Sequence, residues 1–211
     1  MYLPSHFRED RPEVLHRLMQ EYPLAALISS GPSGLAANHL PLLLDPTAGP
    51  CGTLTGHLAR ANDQWRDFGH AEVLAIFQGP QSYVSPDWYP SKHETGKAVP
   101  TWNYAVVHVR GTIEIFEDAA RLRGFLSRLT EQHETSRPTP WAVADAPTEY
   151  IDNLTRAIVG FELRITGIEG KWKVSQNQPE RNREGVVAGL TAELGASGAD
   201  MVELISRNRT V

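Results

Sequence analysis

The 211-residue sequence holds a single cysteine, Cys51, so no disulfide can close within the chain. No run approaches the roughly 18 apolar residues that span a bilayer. The opening Met-Tyr-Leu-Pro-Ser-His-Phe-Arg lacks a basic stretch followed by an apolar one. The expectation is a cytoplasmic protein without membrane contact. Basic residues are in deficit: 20 Lys and Arg face 25 Asp and Glu, a net charge of -5. That balance gives no broad electrostatic attraction to a polyanion, and tight direct binding to DNA is not expected. G-x-G-x-x-G after a strand, G-x-x-x-x-G-K-[ST], G-x-S-x-G and H-E-x-x-H are all missing. The eight histidines show no ligand spacing, so no metal site is expected. Cys51, between Pro50 and Gly52, reads as a spectator thiol rather than a nucleophile. With 41% hydrophobic and 21% charged residues the chain can bury a core, which excludes a disordered tail, a coiled coil and a collagen-like rod.

Helical spacing of Val14, Leu15, Leu18, Met19 and Tyr22 behind Pro12 predicts a helix ended by Pro23. Residues 24–30 and 35–44 read as a hairpin across a four-residue loop, Gly31 to Gly34. Further strands are expected at 53–59, 72–77, 101–116 and 158–168, the last followed by a turn at Gly170 into 171–174. Helices are expected near 63–68, after Asp118, at 148–157, and in the tail at 179–194 and 199–206. Residues 78–100, with Pro80, Pro86, Pro90 and Pro100, read as neither regular helix nor interior strand. The aromatics Tyr83, Trp88 and Tyr89, with Trp102 beyond, favour an ordered functional loop over a disordered one. Strands outnumber helices and no βαβ alternation appears. A mainly β fold follows, an antiparallel barrel of six or seven strands with peripheral helices. Residues 1–178 are expected to form the barrel domain and 179–211 a helical extension of it.

Three groups of residues carry candidate chemistry. In Asn38-His39-Leu40-Pro41 the proline points to a strand edge, whose free backbone groups could bind a planar heterocycle, or to a simple bend. In Gly56-His57-Leu58-Ala59-Arg60-Ala61-Asn62, Arg60 meets a helix start, an anion-binding arrangement, or is a solvated surface arginine. In 83–104, Ser85, Ser91, Lys92 and Thr101 are donors suited to a phosphate, and the tryptophans offer flat faces. Stiff prolines would hold them in place, and a phosphorylated aromatic cofactor would suit the set.

These segments resemble the PaiB-type family of FMN-binding negative transcriptional regulators. The likeness rests on Met1-Tyr2-Leu3-Pro4, His39-Leu40-Pro41-Leu42, Gly56 to Asn62 with Trp65, and Phe77-Gln78-Gly79-Pro80. It continues through Tyr83 to Tyr89, Lys97 to Tyr104, and Gly170-Lys171-Trp172-Lys173-Val174-Ser175-Gln176-Asn177. One departure stands at Asn182-Arg183, where the family carries an Asp-Arg pair. The resemblance implies an FMN-binding split β-barrel, related to pyridoxamine-phosphate oxidases, that dimerises around a shared FMN cleft. On that basis Arg60 and Lys92, with Asn62 and Ser85, are expected at the phosphate. His39, Leu40 and Pro41 are expected at the ring edge, and His57, Trp88, Thr101, Trp102 and Asn103 around ring and ribityl chain. Lys173 is expected near the pyrimidine end. The implied role is transcriptional regulation, acting through a protein partner or through flavin chemistry. A flavin-dependent oxidoreductase or flavin reductase is the alternative, and no residue is an obvious substrate base.

Overall fold

The computed structural model describes residues 1–69 and 71–208. Among the described residues, eight strands form one sheet in the order β3-β2-β6-β7-β8-β5-β4, with β1 beside β8. They are β1 (Arg8–Glu9), β2 (Leu24–Gly31), β3 (Gly34–Pro41), β4 (Leu43–Asp45), β5 (Thr53–Ala59), β6 (Val73–Val84), β7 (Thr101–Phe116) and β8 (Ile158–Lys173). The helices are α1 (Pro12–Glu21), α2 (Pro90–Thr95), α3 (Ala119–Glu134), α4 (Thr148–Arg156), α5 (Glu180–Leu194) and α6 (Ala199–Arg207). Among the described residues no helix is long and apolar enough to cross a membrane. The chain divides into two compact units, neither of them one continuous segment.

One unit comprises 19–77 and 109–168. β2 and β3 pair from Leu24↔Pro41 to Gly31↔Gly34, so the turn is two residues, Pro32 and Ser33, rather than the expected four. The Asp67 carboxylate accepts the Ser33 N–H at 3.2 Å and steadies that turn. The expected strand 35–44 breaks at Leu42, which turns inward and donates its N–H to the Pro23 carbonyl at 3.0 Å. β5 runs antiparallel to β8 from Thr53↔Arg164 to Ala59↔Ile158. Asp118 caps α3 by accepting the Arg121 N–H at 2.7 Å, as its position suggested. Leu122 and Phe125 of α3 are buried, as are Leu54, Leu58, Phe161 and Leu163 of the sheet.

The other unit comprises 1–18, 78–108 and 169–211. Two expectations are corrected here. β6 does not stop at Phe77 but runs on through Pro80 to Val84, and Pro90–Thr95 is helical. The register of β6 with β2 ends at Ile76, so Pro80 lies where a missing N–H is tolerated. Nor does Gly170 make a turn: β8 continues through it to Lys173. Glu9 pairs opposite Gly170, and a Cβ there would meet the Leu15 side chain, the Glu9 carbonyl at 2.8 Å and Trp172 at 3.0 Å. The glycine serves close approach, not chain reversal. Trp172, Val174, Val186, Leu190, Met201 and Ile205 are buried in this unit.

Gly170→Ala should therefore destabilise the protein by about 1–3 kcal/mol, the usual cost of overpacking. Gly167→Ala, with nothing within 4 Å of the added carbon, should change stability little. Urea denaturation of the two variants checks the contrast.

Candidate functional site

A cleft of about 240 Å³ opens in the unit that contains the end of β8. Its floor is the start of β7, Thr101 and Asn103, and the β8 terminus, Lys173 with Ser175 beyond. Strand alternation places Thr101 and Asn103 on one face and Trp102 on the other, 54% exposed. Asn103 is buried and donates to the Ser175 hydroxyl at 2.8 Å. Ser175 has φ +63°, the left-handed region that costs a side-chain-bearing residue energy. The Gln176 side chain holds that turn, accepting from the Val174 N–H at 2.8 Å and donating to the Trp172 carbonyl. The rim comes from α5 and the segment before β7. Buried Asn182 donates to the Ser91 hydroxyl at 2.9 Å and to the Gln178 side-chain amide oxygen (Oε1) at 3.1 Å. Lys97, Ala98 and Val99 complete it.

Lys173 is half-buried. Its ammonium donates to the Thr101 hydroxyl and, at 2.6 Å, to the Trp102 carbonyl. Burial, and then the charge of Lys171, hold its pKa below that of an ordinary lysine. Burial pushes the Tyr89 phenol up, opposed by its hydrogen bond with Ser175. The cleft lining contains two lysines and no carboxylate or imidazole.

Other expected ligands in this unit have partners of their own. Ser85 caps the 3-10 turn at 86–88 by accepting the Asp87 N–H at 3.2 Å. Lys92 pairs with the Asp87 carboxylate. Trp88 donates to Glu193 at 2.9 Å, and its indole lies against Gly189 while its carbonyl lies against Gly185, so it seats α5. Exposed Trp102 meets Tyr83 edge-on, with ring centroids 6.0 Å apart. The tail arginines are likewise engaged: Arg181 with Glu94 and Arg207 with Glu203. Arg209 lies outside the described residues.

In the other unit, β3 is the terminal strand of the sheet order, so one side of its backbone has no strand partner. His39 is exposed, and Leu40 and Pro41 are half-exposed. Asn62 caps the 3-10 turn at 63–67, accepting the Gln64 N–H at 3.1 Å. Arg60 donates to the Arg156 carbonyl at 2.9 Å and the Ile158 carbonyl at 3.0 Å, and pairs with Glu117. His57 packs edge-on to Phe125, with centroids 5.7 Å apart. Its Nδ1 is buried without a hydrogen-bond partner, and burial depresses its pKa.

Of the expected site residues, the structure brings Thr101, Asn103 and Lys173 into one cleft and keeps His39, Leu40 and Pro41 on one strand. Arg60 and Lys92 each lie against a carboxylate. Sequence reasoning left Tyr89, Lys97, Ser175 and Asn182 out of the site. Ser175 lay within the K-x-K-x-S-Q-N segment, and Asn182 at the departure from the family pattern; both were available signals.

Residues 1–167 match the family described as "Putative FMN-binding domain". The chain belongs to that family. It is 31% identical over 206 residues to the protease synthase and sporulation protein PAI 2 of Bacillus subtilis, covering 97% of this chain and 96% of that one. It is 34% identical over 252 residues to an uncharacterized protein of Aspergillus fumigatus, covering 96% and 97%. Among solved structures, the FAD and heme binding protein from Mycobacterium smegmatis superposes with a TM-score of 0.58 at 18% identity, covering 86% of this chain and 80% of that one. The flavocytochrome Anf3 from Azotobacter vinelandii gives 0.56 at 12% identity, covering 81% and 72%. These likenesses concern the fold, the mainly β FMN-binding split barrel with peripheral helices. The cofactor of this chain is FMN. An edge strand with no strand neighbour on one side among the described residues, and a buried imidazole nitrogen without a partner, fit the hydrogen-bonding rim of a flavin.

His57 yields a pH test. Its native pKa lies below the ordinary 6.5, so the unfolded chain takes up the proton first. Its contribution to stability is complete above about pH 6.5 and is lost as pH falls from there through the native pKa. His57→Gln should flatten that part of the profile relative to wild type, as measured by urea midpoints across the acid range.

Proposed function

We propose that the protein is a PaiB-type transcriptional regulator that holds FMN as a structural or sensory ligand and works as a cytoplasmic homodimer. The observation that carries the reading is the 31% identity to PAI 2 across 97% of the chain, since that relative's name places it in protease synthesis and sporulation. When bound, FMN supplies a redox-active ring that can report on the state of its surroundings. The β3 edge at His39, Leu40 and Pro41 orients the ring by backbone hydrogen bonds, and His57 offers its Nδ1 to it. Arg60 and Asn62, at the end of β5, are the phosphate candidates of the same unit. Exposed salt bridges contribute little, about 0–1 kcal/mol, so a phosphate can compete with Glu117 for Arg60.

Dimerisation is supported by β3 itself. None of its residues is buried, and Leu35, next to the hairpin turn, is 79% exposed, as is Leu24 at 61% at the far end of β2. An open edge with apolar side chains calls for cover, and a second copy placed isologously supplies it. Regulation through a protein partner is supported by the net charge of -5 and by the ion pairs that engage Arg181 and Arg207.

Purified protein with FMN added should sediment at about twice 23.4 kDa. It should oxidise NADH and NADPH no faster than free FMN, and bind DNA upstream of its own gene only weakly, with strong salt dependence. Rapid catalytic turnover would replace this reading with the oxidoreductase one. Nanomolar, competitor-resistant DNA binding would remove the need for a partner.

A further inference from the structure

We propose that the cleft at the end of β8 binds a compact oxyanion, the carboxylate or phosphate group of a small molecule other than the flavin. The inference does not rest on the regulatory reading. Charge is the first argument. Lys97 and Lys173 both line the cleft, and no lining residue is acidic. The Lys173 hydrogen bonds go to neutral oxygens, of Thr101 and Trp102, so a half-buried cation lies here without a counter-ion among the described residues. A cation taken from water into such a place is costly unless an anion joins it.

Preorganisation is the second argument. Asn103 is tied to Ser175, and Asn182 to Ser91, by buried or part-buried bonds. Hydroxyls and amides fixed in this way lose little freedom when a ligand arrives. The left-handed Ser175, clamped by Gln176, is the kind of backbone outlier that persists where the surroundings impose it, often at binding sites.

Size is the third. The space of about 240 Å³ falls below the roughly 300–1000 Å³ of pockets that enclose drug-sized ligands. An oxyanion with a short body suits a space of that size. Ala98 and Val99 give that body an apolar side to lie against.

The test is calorimetric titration of the FMN-loaded protein with sodium phosphate and, separately, with sodium acetate, at constant ionic strength, while flavin absorbance is followed. Saturable binding of at least one anion is expected, with the flavin retained. Preference for phosphate identifies a phosphoester ligand, and preference for acetate a carboxylate. Lys173→Met and Asn182→Asp should each weaken binding at least tenfold, the second by placing a like charge in the cleft. Lys97→Met, at an exposed position, should weaken it severalfold and serves if either of the others fails to fold. Absence of saturable binding to wild type would overturn the proposal, as would affinity unchanged in the variants that fold. Release of FMN in proportion to bound phosphate would also overturn it, by assigning the cleft to the cofactor's own phosphate.

Discussion

Everything at the cleft depends on β8 remaining a strand as far as Lys173. Its sixteen residues begin in register with β5 and end beside β1. The constraint that permits this is steric. At Gly170 the Leu15 side chain and the Glu9 carbonyl come so close that no Cβ has room. With any larger residue the strand or helix α1 would have to move, and Lys173 and Ser175 would move with it. A glycine that reads as a turn is instead what keeps the strand extended.

A second theme is the competition between self-contacts and ligand contacts. Ser85, Asn62 and Asp118 all accept backbone N–H groups as caps, because short polar side chains at element starts find those orphan donors first. Trp88 spends its N–H on Glu193 and its ring on Gly189 of α5. The aromatic loop is ordered chiefly because it seats that helix. Lys173 differs: its position at a strand end gives it only neutral acceptors, and burial together with Lys171 weakens its hold on a proton.

Gln64 shows the same economy in the other unit. Buried between β2 and β3, it donates to the Leu27 carbonyl at 3.2 Å and the Ser29 hydroxyl at 3.0 Å and accepts from Asn38 at 2.7 Å. A buried amide with its groups satisfied fixes the turn at 63–67 against the hairpin. The exposed side of β3 thus rests on a fixed inner side, which suits an edge that must present backbone groups in a set direction.

By itself the sequence determined the class of fold and most of its elements. Alternation marked the first part of β8, a short apolar run marked β2, Pro12 and Pro23 bracketed α1, and Asp118 announced α3, because these signals are local and depend on side-chain period and capping chemistry. It also carried the family through segments such as Val99-Pro100-Thr101-Trp102-Asn103-Tyr104. Only the tertiary structure decided that Pro80 lies within a strand and that Gly170 is a point of close approach, since both turn on which neighbours lie alongside. The same holds for the site. Arg60 and Lys92 look like free cations in sequence, yet Glu117 is 57 residues from Arg60, and Asp87 reaches Lys92 only across a turn. Asn182 and Ser91 meet across 91 residues. Whether a charge is paired or left facing a cleft is a property of distance in space, and the linear order of residues does not contain it.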